Sequence, residues 1–486
     1  MKKIIALVCL LSMFLPLCAC SSSLATEETK TLPATAETKT EETKKEKGEI
    51  VYPDSFAVGF SRVDITPQTP IPIYNTTATG VHDPLWLSCT ALWDGKTAAL
   101  IFSVDSWFVN VSTTSIPMKR LEKKFGIDPK NVMFNSTHAH SAPNISSSED
   151  LMMIRYVTKF YDKVMVGAEE ALRDLDVVEK TFTGRTNTED GITFVRRYLM
   201  SDGTYRGIAS SNPNTEYVAH ESQADPEMRT IRFDRKNKKD VIMLNHQTHY
   251  GGATGLYPDM ISADFITLLR EKVEEDLDCH FVYQYGASGN VNFISFIPGE
   301  RKYPTYIDAV PSLAQTVKDA LAVEKETATG QIRSLSSQLE ATVLHDSEER
   351  VRQAQEIGDT ADEGLRSTLI YKYGFDSKHE ASAVRTRNRL GETEKIPLSV
   401  ITCGEICFAA FPYEMFDASG KQVRDASPFE MTFICSLTNG SFGYIPTTEA
   451  FPHGQYEVFV TRFVQGTAEL CVAESVRMLN ECKNAA

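Results

Sequence analysis

Two periodicities alternate along the chain from residue 56 onward. Residues 56–65 read as a strand that Thr66-Pro67 stops. Residues 91–93 and 97–104 flank Asp94-Gly95, a strong hairpin signal. Met153, Ile154, Val157, Phe160, Val164, Ala168 and Leu172 recur at helical spacing and define one buried face. The pattern predicts further helices over 112–125, 262–277, 306–323 and 346–367, one after Glu414, and one over 466–482. It predicts strands at 132–134, 241–244, 281–285, 331–345 and 431–435, with a hairpin over 398–411 turning at Gly404. No internal repeat and no linker follow residue 50. The expected fold class is α/β, a single large mixed-sheet domain with flanking helices.

The predicted strands share a feature: they end in polar or small clusters. Asp105, His138 with His140, His246, and the stretch from Gly286 to Asn292 each follow a short apolar strand. Ligand sites in α/β sheets gather at the carboxyl ends of strands, so these positions are expected to share one rim.

The N-terminus has a different pattern. Lys2 and Lys3 precede an apolar run over 4–17 that is too short to span a bilayer comfortably. It ends in Leu17-Cys18-Ala19-Cys20, which resembles a bacterial lipobox. Residues 1–19 are expected to be a lipoprotein signal peptide and Cys20 the lipidated residue. This would anchor the protein to a membrane after export, at the cell surface or the periplasmic face. A simple cleaved signal with an incidental Cys20 is the alternative. The stretch 20–50 has no aromatic residue before Tyr52 and is rich in Thr, Glu and Lys, the composition of a disordered tether. The folded domain would then span 51–486.

Composition narrows the function classes. The 486 residues are 42% hydrophobic and 24% charged, an ordinary globular balance. The net charge is −15, and removing 1–19 takes away two lysines and no acids, so it becomes −17. No basic run lies in the folded part, which argues against nucleic acid as a partner. The seven cysteines beyond residue 20 are odd in number and sit in apolar runs, so buried free thiols are expected.

The candidate chemistry lies on the strand ends. His138 and His140 are two apart, and in extended chain both rings point the same way. Such a pair alone is a weak signal, more often two solvated or hydrogen-bonded loop histidines than ligands. His246 closes a strand, with His249 three residues on as a second close pair. Asp264 stands at a helix start, where it would cap the helix or orient a ligand histidine. Glu414 follows Pro412 at another helix start, and Tyr444 and Tyr456 lie in Gly-containing loops. Nitrogen and oxygen donors around an open position suit a catalytic Zn²⁺.

The ordered motifs resemble those of the neutral/alkaline ceramidases. The blocks are Val58-Gly-Phe-Ser-Arg-Val-Asp-Ile-Thr-Pro67, Gly80-Val-His-Asp-Pro-Leu85 and Ser136-Thr-His-Ala-His-Ser-Ala-Pro143. They continue with Phe194-Val-Arg-Arg-Tyr198, His246-Gln-Thr248, Ser262-Ala-Asp-Phe265 and Gly286-Ala-Ser-Gly-Asn-Val-Asn292. Phe411-Pro-Tyr-Glu414, Gly443-Tyr-Ile-Pro-Thr-Thr448 and Gln455-Tyr-Glu457 complete the series. The resemblance implies the ceramidase catalytic-domain fold and a zinc ion held by His138, His246, Glu414 and Tyr444. It places His140, Arg196 and Tyr456 beside the substrate, with Tyr456 able to donate to a developing oxyanion. Asn292 stands where the family carries a serine, so water rather than a serine hydroxyl is the implied nucleophile. One helix follows the Tyr-Glu block, so the C-terminal β-domain of long family members is expected to be lacking. The resulting expectation is a zinc-dependent amidohydrolase acting on an N-acyl, lipid-like small molecule, with no protein partner implied. Two alternatives remain: a zinc amidase or esterase acting on another acylated small molecule, and a non-catalytic lipoprotein that binds ligands at the surface.

Overall fold

Strand alternation assigns each residue to a layer. Leu87, Cys89 and Ala91 pack in one core cluster and Leu92 in another; the same split separates Leu100 and Phe102 from Ala99 and Ile101. These strands are thus buried on both faces, which requires a layer above and a layer below.

The computed structural model describes residues 49–74, 76–207, 215–249 and 255–485. The expected signal peptide, Cys20 and nearly all of the tether lie outside the described residues. In chain order the larger sheet contains β1 (Ala57–Asp64), β2 (Trp86–Trp93), β3 (Ala98–Val104), β4 (Val132–Ser136), β5 (Asp176–Asn187), β6 (Glu227–Arg235), β7 (Val241–His246) and β8 (His280–Tyr285). They lie in the order β8-β7-β6-β5-β1-β2-β3-β4, and Lys325–Glu326 adds a short strand to β5. The pairs β3–β4 and β7–β8 are parallel; the others along this path are antiparallel. A second sheet follows the order β9 (Ile332–Thr342), β10 (Thr393–Cys403), β11 (Ile406–Ala410), β12 (Met431–Cys435), with β11 and β12 parallel.

The sheets pack face to face. Val58, Phe60, Ile101, Met243 and Val282 of the first meet Ile401, Phe408 and Phe433 of the second. The outer faces are covered by helices. α1 (Val111–Phe125) and α2 (Leu151–Arg173) lie on the β1–β4 side. α3 (Phe265–Leu277) and α4 (Tyr306–Ala322) lie on the β7–β8 side. α5 (Glu348–Asp359), α6 (Glu363–Lys372) and α7 (Lys378–Arg387) form a small cluster of their own. α8 (Asp417–Asp425) and α10 (Thr467–Asn484) cover the second sheet, and the short α9 (Tyr456–Val460) lies between them in sequence. The result is a helix–sheet–sheet–helix sandwich.

The mixed α/β class with flanking helices is as expected from the sequence. One predicted helix differs: 346–367 is interrupted at 360–362, where Asp362 caps α6 through the Leu365 amide. The Asp94-Gly95 hairpin and the turn at Gly404, whose φ is +60°, form where expected. All seven cysteines in the described region are buried and free. No helix among the described residues is long and apolar enough to cross a membrane.

The three parallel pairs share one consequence: β3 with β4, β7 with β8, and β11 with β12 each end side by side. Asn135 ties these ends together. Its Oδ1 accepts from the Tyr285 amide at 2.6 Å, and its Nδ2 donates to the Ser436 carbonyl at 2.7 Å.

Candidate metal centre

Beyond β4 the chain turns sharply. His138 sits at φ +63°, a left-handed conformation that is uncommon for a side-chain-bearing residue. The turn is held by Thr137 donating to the Val104 carbonyl at 2.9 Å and Ala139 to the Ser106 carbonyl at 3.1 Å. It aims the His138 ring at two others. His138 Nε2 lies 3.1 Å from His140 Nε2 and 3.2 Å from His249 Nε2. Glu414 completes the cluster, its Oε2 3.5 Å from His138 Nε2 and 3.9 Å from His249 Nδ1. Glu414 and Tyr444 face each other because Glu414–Met415 and Tyr444–Ile445 form a short parallel pair in direct register. The Tyr444 hydroxyl accepts from Arg196 Nη2 at 3.0 Å.

The protons of this cluster do not balance. His138 Nδ1 lies 3.0 Å from the Trp107 carbonyl, which can only accept, so Nδ1 carries the proton. His249 Nδ1 lies 3.3 Å from the Ser288 carbonyl and is protonated for the same reason. Both Nε2 atoms are then bare lone pairs, 3.2 Å apart, with no hydrogen between them. Glu414 Oε2 is buried and has no hydrogen-bond partner among the described residues. Two nitrogens at about 2.0 Å from one tetrahedral ion stand about 3.3 Å apart, which is the spacing found here. His140 Nε2–H can donate to His138, which leaves His249 Nε2 and Glu414 Oε2 without a donor; a cation resolves both, and the mixed nitrogen and oxygen donors fit zinc. Among the described residues, His138, His140 and His249 form the His/Cys/Asp/Glu group able to hold a metal ion.

Burial keeps the imidazoles in the form a metal requires. It lowers His138 and His249 well below the usual histidine value and His140 to about 3, with Arg196 adding to the effect in each case. Burial also raises the Glu414 carboxyl to about 7, despite the opposing pull of Tyr444 and Arg196.

Most of the expected residues meet here. His138 touches His140 and Glu414, Glu414 faces Tyr444, and Tyr444 meets Arg196; Tyr456 packs edge-on to Tyr444 with centroids 5.6 Å apart. Burial raises the Tyr456 phenol, so it stays a proton donor. Asn292 lies at the margin, on a cavity lined also by His249, Phe293, Ile294 and Tyr306; its Oδ1 accepts from the Ile294 amide at 3.1 Å. The exception is His246, whose place in the cluster is taken by His249. His246 closes β7 and by alternation shares the face of Ile242 and Leu244, which pack under the helices. The charges nearest to it are Asp225 and Arg229, not those of the cluster. The sequence signal that distinguishes them is the loop itself: three residues past the strand end, His249 is free of the sheet's alternation. Asp264 caps α3, its Oδ1 accepting from the Phe265 amide at 2.8 Å.

No family model matches the chain, and no curated protein matches it. Solved structures do. A crystal structure of neutral ceramidase from Pseudomonas aeruginosa superposes with a TM-score of 0.66 at 15% identity, covering 89% of this chain and 75% of the other. The chain has the neutral ceramidase fold. A structure described as ceramidase complexed with C2 gives a TM-score of 0.65 at 15% identity, over 89% and 76% of the two chains. The ceramidase-like sandwich thus spans nearly all the described residues, and the metal-capable cluster lies on its strand-end rim.

Proposed function

We propose that the protein is a metal-dependent hydrolase of the ceramidase type that cleaves the amide of an N-acyl, lipid-like substrate. The observation that carries this reading is the pair of bare Nε2 atoms on His138 and His249 beside the unpartnered Glu414 Oε2. His138, His249, Glu414 and Tyr444 would hold the ion, with His140 adjacent. Zinc bound there would supply Lewis acidity and a water acidified to near neutral pH.

The protein's own groups then have separate tasks. Tyr456, kept protonated by burial, donates a hydrogen bond where negative charge develops on the carbonyl oxygen. Arg196 adds positive charge beside Tyr444. His140, neutral at working pH, is placed to carry a proton toward the leaving amine. Asn292 positions the substrate at the edge of the cavity it shares with His249. Ser288 is an unsuitable nucleophile: it is buried and its hydroxyl is directed at the Gly286 carbonyl.

The test is metal analysis of the purified protein together with turnover of a panel of N-acyl compounds, ceramide included. About one zinc per chain and hydrolysis that stops on chelation are expected; a metal-free active enzyme would refute the reading. We also propose that Cys20 anchors the protein to a membrane. Unchanged membrane fractionation of Cys20→Ser would refute that.

A further inference from the structure

The block Gln455-Tyr-Glu457 contributes more than its tyrosine. Glu457 is 1% exposed, and its two oxygens serve two different arginines. Oε1 accepts from Arg196 Nε at 2.8 Å, and Oε2 accepts from Arg197 Nη1 at 3.1 Å. Arg197 is fully buried and is fixed on its other side by Glu221, with Nε–Oε2 at 2.6 Å and Nη2–Oε1 at 3.0 Å. Its guanidinium also donates to the Gly454 and Ala450 carbonyls, at 2.9 and 3.2 Å. Two buried cations are thus matched by two carboxylates, Glu457 buried and Glu221 partly exposed. Arg196 spends its remaining donors on the centre. Nη2 reaches the Tyr444 hydroxyl at 3.0 Å and the Gly289 carbonyl at 2.8 Å, so it ties the tyrosine to the segment that carries Asn292.

We propose that Glu457 is a positioning residue for the metal centre: its carboxylate, braced by Arg197, holds Arg196 against Tyr444 and the Gly289 carbonyl. The identity of the centre rests on the proposed function, but the holding of Arg196 does not. Glu457 meets each arginine through one oxygen, and the bidentate Arg197–Glu221 contact behind it sets the direction of the brace. Removing one charge from a buried pair leaves its partner uncompensated. In Glu457→Gln the amide can accept from one arginine only, and its NH₂ confronts the other donor. Arg196 would then leave Tyr444.

The test compares Glu457→Gln, Arg196→Lys and the double variant. Zinc transfer from the loaded protein to a chromogenic chelator is followed alongside kcat and KM. Glu457→Gln is expected to release zinc about tenfold faster and to lower kcat about tenfold, with KM within about threefold. In the Arg196→Lys background the same change should add less than about twofold, because Glu457 acts through Arg196. Parental release and kcat in Glu457→Gln, or fully additive losses, would overturn the proposal. Should Glu457→Gln fail to fold, Glu221→Gln, one contact further out, is expected to give about threefold effects on the same two readouts, and none would overturn it. If the parent hydrolyses no N-acyl compound, zinc release alone decides, so failure of the hydrolase reading is distinguishable.

Discussion

Two buried polar clusters touch at Tyr444, and they are built on opposite rules. On one side, Arg196, Glu457, Arg197 and Glu221 satisfy one another charge for charge. On the other, His138, His249 and Glu414 bring lone pairs together without protons to separate them. Burial takes groups on both sides out of water, at a higher cost for the charges of the first. Only the first side recovers that cost within the chain. A buried set that is closed serves as scaffold, and one left open is waiting for a ligand.

The sharpest way to break this contrast is to delete one open donor. His249→Ala is expected to lose stoichiometric zinc and lower kcat/KM by about a thousandfold or more, whereas His246→Ala keeps its zinc. Metal content after gel filtration checks both, and zinc loss in His246→Ala with retention in His249→Ala would reverse the assignment.

Acid should separate the clusters next. Burial raises the Glu414 carboxyl to about 7 in the metal-free protein, so below that pH a proton competes with the ion. Zinc affinity is expected to fall about tenfold per pH unit below 7, measured by competition titration from pH 8 to 5.5. Glu414→Gln should flatten that dependence.

The metal-free fold carries its own acid sensitivity. The unfolded chain takes up protons on its histidines near 6.5, whereas folded His140 and His246 resist until about 3. Between those values the unfolded state binds more protons on these histidines, so their contribution is full above 6.5 and declines as the pH falls, while Glu414, at about 7 when folded, offsets one histidine down to its ordinary value. Each such histidine contributes up to ~1.4 kcal/mol per pH unit. Urea unfolding of the chelated protein at pH 7 and 5 checks this, with the lower stability expected at pH 5, and zinc should add stability at pH 7.

The smallest effect is expected at Ser288. Its backbone carbonyl, not its hydroxyl, contacts His249, so Ser288→Ala should keep kcat within about threefold and form no acyl adduct by mass spectrometry. A trapped acyl-serine would instead place nucleophilic catalysis at this centre.

Much of this architecture was legible in the sequence because it is local. The strand at Met431–Cys435, the amphipathic α2 and the Asp94-Gly95 turn each carry their own periodicity or turn residues. The long antiparallel strands β5 and β6 gave no such signal. They mix charged residues with apolar ones, as in Glu179, Lys180, Arg229 and Arg232, and are fixed by register with each other. The division into two stacked sheets depends on which strands pair, which no window of sequence contains. The candidate site was legible where a short polar block follows a strand within a few residues, as at His138 and Glu414, and misleading where the strand's own last residue was a histidine, as at His246. It was not legible at His249, where a loop determines the direction, nor in the closed network, whose partners lie as far apart as Arg196 and Glu457.

The Asn135 bridge bears on the order in which such a centre can come into being. This one side chain joins the Tyr285 amide, 150 residues on, and the Ser436 carbonyl, 301 residues on. The rim it closes exists only after β12 has been synthesised and docked, when all but the last few dozen residues of the chain are in place. Contacts this distant form late and slowly. A metal ion cannot nucleate the sandwich in the way it organises a zinc finger. An ion held there would arrive as a clasp on a finished molecule, and any fragment that ends before β12 should have the histidines but no centre in which to use them.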